Sequence, residues 1–587
     1  ASYNINNYRR LYKDRTAANI YSDAVGVTKT TTHYQKDTYR ERPYEYTYHN
    51  VDAYFTYEHS WNKEHNFKAV AGMNYEKYRL VDNIVEQFGL GSDQIDSFNS
   101  VNDDTYWLVQ QDISAYKTLG FFARINYDYK GKYLFEASMR ADGTSRFAKK
   151  DRWGYFPSAG LSWNFNRENL LKKSEWMSNG KLRLSWGLTG NNRTQTPYDF
   201  YSQITVNPGS GSSLDYVFGG ERVPGYYVSN MANERLKWET TEQWNAGLDL
   251  GFFEDRIKVT ADWYDKVTRD LLLYALLPAS SGFEQGMLNI GKIRNRGFEL
   301  TLETVNVKTR QFQWSTSFNI AFNHNRILGL VDGQNTLQSS VSWETRFNSQ
   351  FPYISQVGKP TGMMYGFIYD GTYKAEDFDD KGNLVSGVPS FKGNTMQPGD
   401  MKYRDMNGDG VIDDYDRTII GCGQPLNTGG FGNNFNWKNF DLNVLVNFTI
   451  GRKMINNRMG LGFSTQSENG HLTKLFDYRK LRPWDGVNKN PNAPAWGNSL
   501  SMNTDSAIEK VHHLALKQIT LGYNLPDRIS KKAGFSGVRF FLTAENLFYL
   551  SNYSGGNPEV VNIYTGRDNG DTYPLPRKYT LGLTLNF

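Results

Sequence analysis

Arg577–Phe587 reads RKYTLGLTLNF, and its alternation decides the fold. Tyr579, Leu581, Leu583, Leu585 and Phe587 share one face, while Lys578, Thr580, Gly582, Thr584 and Asn586 share the other. A period of two gives a strand with one apolar and one polar side. The length suits a tilted strand crossing a bilayer, which takes about 9–11 residues. It closes on an aromatic residue, as final strands of bacterial outer-membrane barrels commonly do. A strand of a soluble sandwich reads the same way, so the rest of the chain must decide.

The same two-residue rhythm recurs throughout. Val51, Ala53, Phe55 and Tyr57 alternate with polar neighbours, as do Phe67, Ala69, Ala71, Met73 and Tyr75. Ala123, Ile125, Tyr127 and Tyr129 follow, then Tyr133, Phe135, Ala137 and Met139 after the turn Lys130–Lys132. The clearest cases are Trp244, Ala246, Leu248, Leu250, Phe252 and Phe312, Trp314, Phe318, Ile320, Phe322. Other strands fall near 1–12, 157–166, 180–189, 256–266, 297–305, 429–437, 440–450, 512–525 and 538–549. Connections alternate in length. Long ones run near 77–117, 141–156, 190–240, 278–295, 324–428, 451–511 and 550–576. Tight turns sit at Ser60–His65, Lys130–Lys132, Phe253–Asp255, Val305–Arg310, Lys438–Asn439 and Pro526–Gly537. Long extracellular loops and short periplasmic turns alternate this way in outer-membrane barrels. Neither helices nor fully buried apolar strands are read.

Composition agrees. Hydrophobic residues make up 39% and mean hydropathy is −0.63, and no run approaches the roughly 18 apolar residues of a spanning helix. Tyr (39), Phe (35), Trp (14) and Gly (54) are abundant, the mixture a membrane barrel uses for aromatic girdles and bends. The single Cys422 excludes an internal disulfide, and a net charge of +5 does not argue for nucleic acid. Ala1–Tyr8 is too polar for a signal peptide. The fold expected is all-β: a transmembrane antiparallel β-barrel of about sixteen strands with its C-terminus in the periplasm.

Several segments, in order, resemble the SusC/RagA-like family of TonB-dependent nutrient transporters. They are Arg140–Phe147 (RADGTSRF), Arg152–Ser158 (RWGYFPS), Leu236–Thr240 (LKWET) with Trp244–Phe253, Asp270–Leu273 (DLLL) and Asn289–Leu300 (NIGKIRNRGFEL). Gly399–Asp413 (GDMKYRDMNGDGVID), Leu481–Gly486 (LRPWDG), Leu516–Pro526 (LKQITLGYNLP), Val538–Leu547 (VRFFLTAENL) and the terminal strand continue the set. The resemblance implies a large barrel around an N-terminal plug, of the 22-stranded plugged type. It implies the outer membrane of a Bacteroidota-like Gram-negative bacterium. The implied partners are a SusD-like surface lipoprotein and an energising TonB–ExbB–ExbD complex, and the implied cargo is an oligosaccharide more readily than a peptide. The front of the chain departs from the pattern: no plug and no TonB-contacting segment is read, and about six strands are missing. Residues 1–587 are thus expected to be the C-terminal portion of the barrel.

The sharpest local motif is Asp405–Asp416, which reads as an EF-hand-type calcium loop. Oxygen ligands fall at Asp405, Asn407, Asp409, the Val411 carbonyl, Asp413 and Asp416, with Gly410 at the sharp turn and Ile412 as the apolar anchor. Position twelve is Asp rather than Glu, and an Asp/Asn/Gly-rich surface turn without an ion is the alternative. An ion here would stiffen an extracellular loop.

Catalysis is not expected. No H-E-x-x-H, G-x-S-x-G or P-loop occurs, and His512–His513 would point to opposite faces of a strand. The glycine-rich Asn207–Ser213 reads as a flexible loop tip. Asp249, Asp262, Glu299, Glu303 and Glu545 read as lumen-facing polar residues rather than catalytic carboxylates. Aromatic faces with hydrogen-bonding groups grip sugars, and Tyr226, Tyr227, Trp343, Tyr365, Trp484, Trp496 and Tyr564 are loop aromatics that could do so. Loop packing or contact with a lid lipoprotein accounts for them equally well. Two readings stand: TonB-dependent import, or a self-contained passive porin or adhesin barrel in contact with membrane lipid.

Overall fold

The computed structural model describes residues 2–16, 20–23, 31–34, 38–88, 106–169, 171, 175–194, 196–206, 216–223, 226–283, 285–330, 335–338, 353–392, 395–456, 504–559, 562, 565–568 and 575–587. The architecture is all-β, carried by sixteen long strands. They are β1 (Ser2–Thr16), β2 (Thr38–Trp61), β3 (His65–Phe88), β4 (Tyr106–Tyr129), β5 (Tyr133–Thr144), β6 (Trp153–Asn164), β7 (Met177–Asn191) and β8 (Glu239–Phe252). Then come β9 (Ile257–Arg269), β10 (Lys292–Lys308), β11 (Phe312–Gly329), β12 (Asn427–Trp437), β13 (Phe440–Asn456), β14 (Ile508–Asn524), β15 (Gly537–Ser551) and β16 (Lys578–Asn586). No helix among the described residues is long and apolar enough to cross a membrane. The residues divide into two compact units.

The first unit comprises 1–161, 185–242 and 268–290. Here β1, β2, β3, β4 and β5 pair antiparallel in chain order. The β2–β3 turn opposes Trp61 to His65, with Asn62 and Lys63 at positive φ; Lys130 and Gly131 do the same between β4 and β5. Such left-handed residues let a tight turn follow the strands' right-handed twist. β2, β3 and β4 are each 24 residues long, well beyond the stretches that alternate cleanly. Phe55, Tyr57, Trp61, Met73, Phe121 and Ile125 are exposed along their apolar face near the turns. Past Val51 the same face of β2 carries His49, Thr47 and Glu45. The alternation therefore marks only the band that meets lipid, and hydrogen-bonded ladder continues beyond it.

A small core closes this unit. Phe147, Phe200, Leu236 and Met287 are buried together. Trp238 lies edge-on to Phe147 and Phe156, at 6.0 and 5.3 Å, and its Nε1 donates to the Arg152 carbonyl at 2.8 Å. Two neighbouring segments, RADGTSRF and RWGYFPS, thus meet the distant LKWET around one indole.

The second unit comprises 162–184, 243–267 and 291–587. β10, β11, β12, β13, β14, β15 and β16 form an antiparallel ladder, each pairing with the next. Tyr579, Leu581 and Leu583 of β16 oppose Ala544, Leu542 and Phe540 of β15, extending one apolar face. The pattern in β14 breaks phase, because Leu514 and Leu516 precede Ile519, Leu521 and Tyr523. Lys517 is an extra residue there: Val446 pairs with Leu516 while the adjacent Leu445 pairs with Gln518. The bulge returns both halves of β14 to one apolar face. Pro526–Gly537, read as a tight turn, instead holds a short helix, α1 (Asp527–Lys532). Pro526 and Asp527 open it, Lys531 and Lys532 complement its last turn, and Gly534 at φ 83° follows its end.

Candidate functional site

The connection after β11 is a packed module of its own. Thr336–Gln338, Tyr353–Gln356, Met363–Gly366 and Thr418–Cys422 make a four-stranded sheet, and Tyr369–Thr372 pairs with Met401–Tyr403. Tyr353, Met364 and Ile420 are buried against Ile455 of β13 and Ala507. A second cluster joins Phe367, Met401, Tyr403 and Ile412, with Phe391 against it. The Arg452 guanidinium fastens the module to β13, donating to the carbonyls of Gly423 at 2.9 Å and Asn562 at 2.6 Å. A β-carbon on Gly423 would meet the Thr565 backbone at 2.4 Å, so only glycine allows this approach.

Asp405–Asp416 sits on this module. Gly408 and Gly410 take φ of 77° and 82°, and Ile412 is fully buried, so the expected turn and anchor are present. The Asp405 carboxylate accepts from the amides of Gly408 (2.6 Å) and Gly410 (2.8 Å). Asn407 and Asp409 accept from the amides of Asp409 and Val411, and Asp413 from that of Tyr415. Asp416, buried, accepts from the amides of Met406 and Asp413, both at 2.8 Å. The loop's own amides thus fill one site on each of these oxygens, and carboxylate lone pairs remain. Among the described residues, no group of three or more His, Cys, Asp or Glu side chains converges to hold a metal.

The Gly410 amide, with those of Gly408, Asp409 and Asn407, holds the Asp405 carboxyl below the usual carboxylate range. A lowered folded value contributes order that is present above the unfolded value, about 3.9, and lost as pH falls through the folded one. Proteolysis of the 405–416 loop is therefore expected to rise only below about pH 4. Equal cleavage in Asp405→Asn at pH 7 would show that these bonds do not order the loop.

The polar face of the second unit holds charges in ion pairs. Arg183 bridges Asp249 (2.7 Å) and Asp262 (3.0 Å). Asp441 pairs with Arg539, and Glu545 with Lys578 at 3.4 Å, whereas Asp265, with Arg294 and Arg296, lies on the opposite face beside Trp263. Asp249 and Asp262 converge on a guanidinium, an arrangement for structure rather than acid–base work, while Glu299 and Glu303 face Ala321 and Ser317. His512 is exposed and His513 buried, on opposite faces as expected. A cavity of about 520 Å³ is lined by the Lys517–Glu559 pair, Asn546, Phe548, Tyr549 and Arg577. Another, of about 440 Å³, is lined by Ser315, Asn434, Asn436, Asp441, Asn443 and Arg539. Both offer amides and charges for hydrogen bonding.

Of the loop aromatics, Tyr226 and Tyr227 are exposed on the first unit's Tyr226–Val228 hairpin strand. Tyr365 lies under the Arg417 guanidinium at 4.6 Å. Trp343, Trp484, Trp496 and Tyr564, with Asn207–Ser213 and Leu481–Gly486, lie outside the described residues. Sequence reasoning missed Trp238 and Arg183, whose partners are distant in the chain.

Residues 1–452 match the family described as TonB dependent receptor-like, beta-barrel. TonB-dependent receptor P3 of Formosa agariphila is 30% identical over 546 residues, covering 91% of this chain and 52% of that protein. TonB-dependent receptor SusC of Bacteroides thetaiotaomicron is 31% identical over 490 residues, covering 81% and 44%. The chain spans about half the length of the curated relatives it matches. The structure of the RagAB peptide transporter matches with a TM-score of 0.79 at 23% identity, over 100% of this chain and 60% of that one, a likeness of fold.

Proposed function

This chain belongs to the TonB-dependent receptor-like β-barrel family, and from that premise we propose that it serves TonB-dependent import of an oligosaccharide. It is an antiparallel barrel of the outer membrane of Bacteroidota-type Gram-negative bacteria, and its family is one of receptors and transporters. The family match over residues 1–452 carries the reading. The polar face supports it, since its charges are neutralised in pairs and the amides of Asn434, Asn436 and Asn443 lie beside them. Such a wall offers many weak hydrogen bonds and no deep trap, which passage requires. The partners proposed are a SusD-like lipoprotein, a plug within the longer protein, and TonB–ExbB–ExbD acting through that portion. Uptake of labelled maltohexaose, laminarihexaose and xylohexaose by cells with and without the gene tests the reading. Gene-dependent uptake that stops when TonB is removed supports it. Uptake persisting without TonB favours the passive porin.

The Asp405–Asp416 loop is proposed to take calcium through Asp405, Asn407, Asp409, the Val411 carbonyl, Asp413 and Asp416. Calcium at about 1 mM, the weak end of extracellular affinities, should protect the loop of EDTA-treated protein from protease, and Asp405→Ala should abolish the effect. Equal protection in magnesium and calcium would argue against it.

A further inference from the structure

Tyr44, Tyr46 and Tyr48 alternate along β2 and so share one face. Across the ladder Tyr48 faces Tyr78 of β3, and Tyr78 faces Tyr116 of β4. Their rings form a continuous row. Tyr46 and Tyr48 are parallel within 5°, with centroids 6.4 Å apart. Tyr46 lies 5.5 Å from Tyr78, and Tyr78 stacks on Tyr116 at 4.9 Å. The Arg146 guanidinium ends the row 4.1 Å from the Tyr116 centroid. All four rings are half-buried, so each keeps part of its surface open.

Two features separate this row from an aromatic girdle. At ~3.3 Å per residue Tyr48 stands about 40 Å along the strand from Trp61, which at a tilt of about 35–45° is about 30 Å of height, just past an apolar band roughly 25 Å tall. It also lies on the face opposite Val51, Phe55, Tyr57 and Trp61, whereas girdles face lipid. Next to it on the same face, Asn74 donates to Asn50 at 2.8 Å and to Asp52 at 2.6 Å, and Asn50 donates to Asp52 at 2.6 Å. Burial, with Glu76 beside it, pushes the Tyr48 hydroxyl up to about 12, and burial also raises that of Tyr78. Both remain neutral hydroxyls, donor and acceptor, at any working pH.

We propose that this face of β2–β4 is a saccharide platform, on which the open surfaces of Tyr46, Tyr48 and Tyr78, braced by Tyr116 beneath Arg146, pack against the C–H faces of a neutral oligosaccharide while the Asn50–Asp52–Asn74 cluster binds its hydroxyls. The platform rests on the oligosaccharide reading above and narrows it to named residues. Rings set at 4.9–6.4 Å along and across strands present an extended apolar strip, and hydroxyls and amides border it. That pairing suits a chain whose every unit has one apolar face and a polar edge.

Calorimetric titration of the full-length protein in detergent tests it, with maltohexaose, laminarihexaose and xylohexaose as probes and a neutral hexapeptide as the competing class. One hexasaccharide should bind. Tyr48→Ala with Tyr78→Ala should weaken it about tenfold or more, and the paired Phe substitutions should hold within about threefold. Bound saccharide should also shield these tyrosines of the wild type from nitration, a readout independent of whether the Ala variant folds. Unchanged affinity in a folded Ala variant, or no shielding, overturns the platform and leaves oligosaccharide import standing. Binding of the hexapeptide alone, or of neither class, overturns both.

Discussion

Leu581→Arg should cost about 2–4 kcal/mol in a bilayer and deplete the folded protein from the outer membrane. Leu581 is 81% exposed, and Tyr579 and Leu583 flank it on the same face. Across the ladder its partner is Leu542, which in turn opposes Leu521, and both are exposed. A continuous apolar surface of this kind is a liability in water and is matched only by lipid. The neighbouring Thr580 faces Thr543 on the polar side, and Thr580→Lys should stay within about 0.5 kcal/mol. Urea unfolding in vesicles, read by heat-modifiable gel mobility, compares the two. Equal effects would mean that the two faces do not meet different solvents.

Phe367→Ala should cost about 3–5 kcal/mol, confined to the module after β11. The ring is fully buried, 5.4 Å from Tyr403 and 6.1 Å from Phe391, beside Met401 and Ile412. Its removal leaves a cavity that short paired strands such as Tyr369–Thr372 are too small to close. The long ladders do not run through this cluster, so barrel mobility on gels should be unchanged while protease cuts within 353–426. Wild-type resistance to protease in the variant would show that the module's order comes from elsewhere.

The strand-borne fold was legible because two solvents act on it. Where lipid meets one face and a polar interior the other, side chains must alternate, and Trp244–Phe252 or Phe312–Phe322 displays that directly. The rhythm fades where both faces are wet. β2 continues from Val51 back to Thr38 with tyrosines, charges and amides on either side, and backbone pairing alone marks it as strand. The spacing in YEYTYH at 44–49 was its visible trace. The module after β11 was unreadable because its strands are two to five residues long and find their partners through tertiary packing. The turn of the Asp405–Asp416 loop was legible, since Gly408, Gly410 and Ile412 each have a local reason to be where they are. Ion pairs such as Arg183 with Asp249 depend on neighbours that one sequence does not reveal.

The extra residue at Lys517 bears on how such a wall changes over generations. In a two-sided strand, gaining one residue reverses every side chain beyond it, turning oily groups inward and charges outward. Gains and losses should therefore come in twos. The bulge is the exception: β14 carries an odd residue against β13 and still keeps Leu514, Leu516, Ile519 and Leu521 on one side. A single-residue length change is thus tolerated at this point within the ladder without unmaking the apolar face on either side of it.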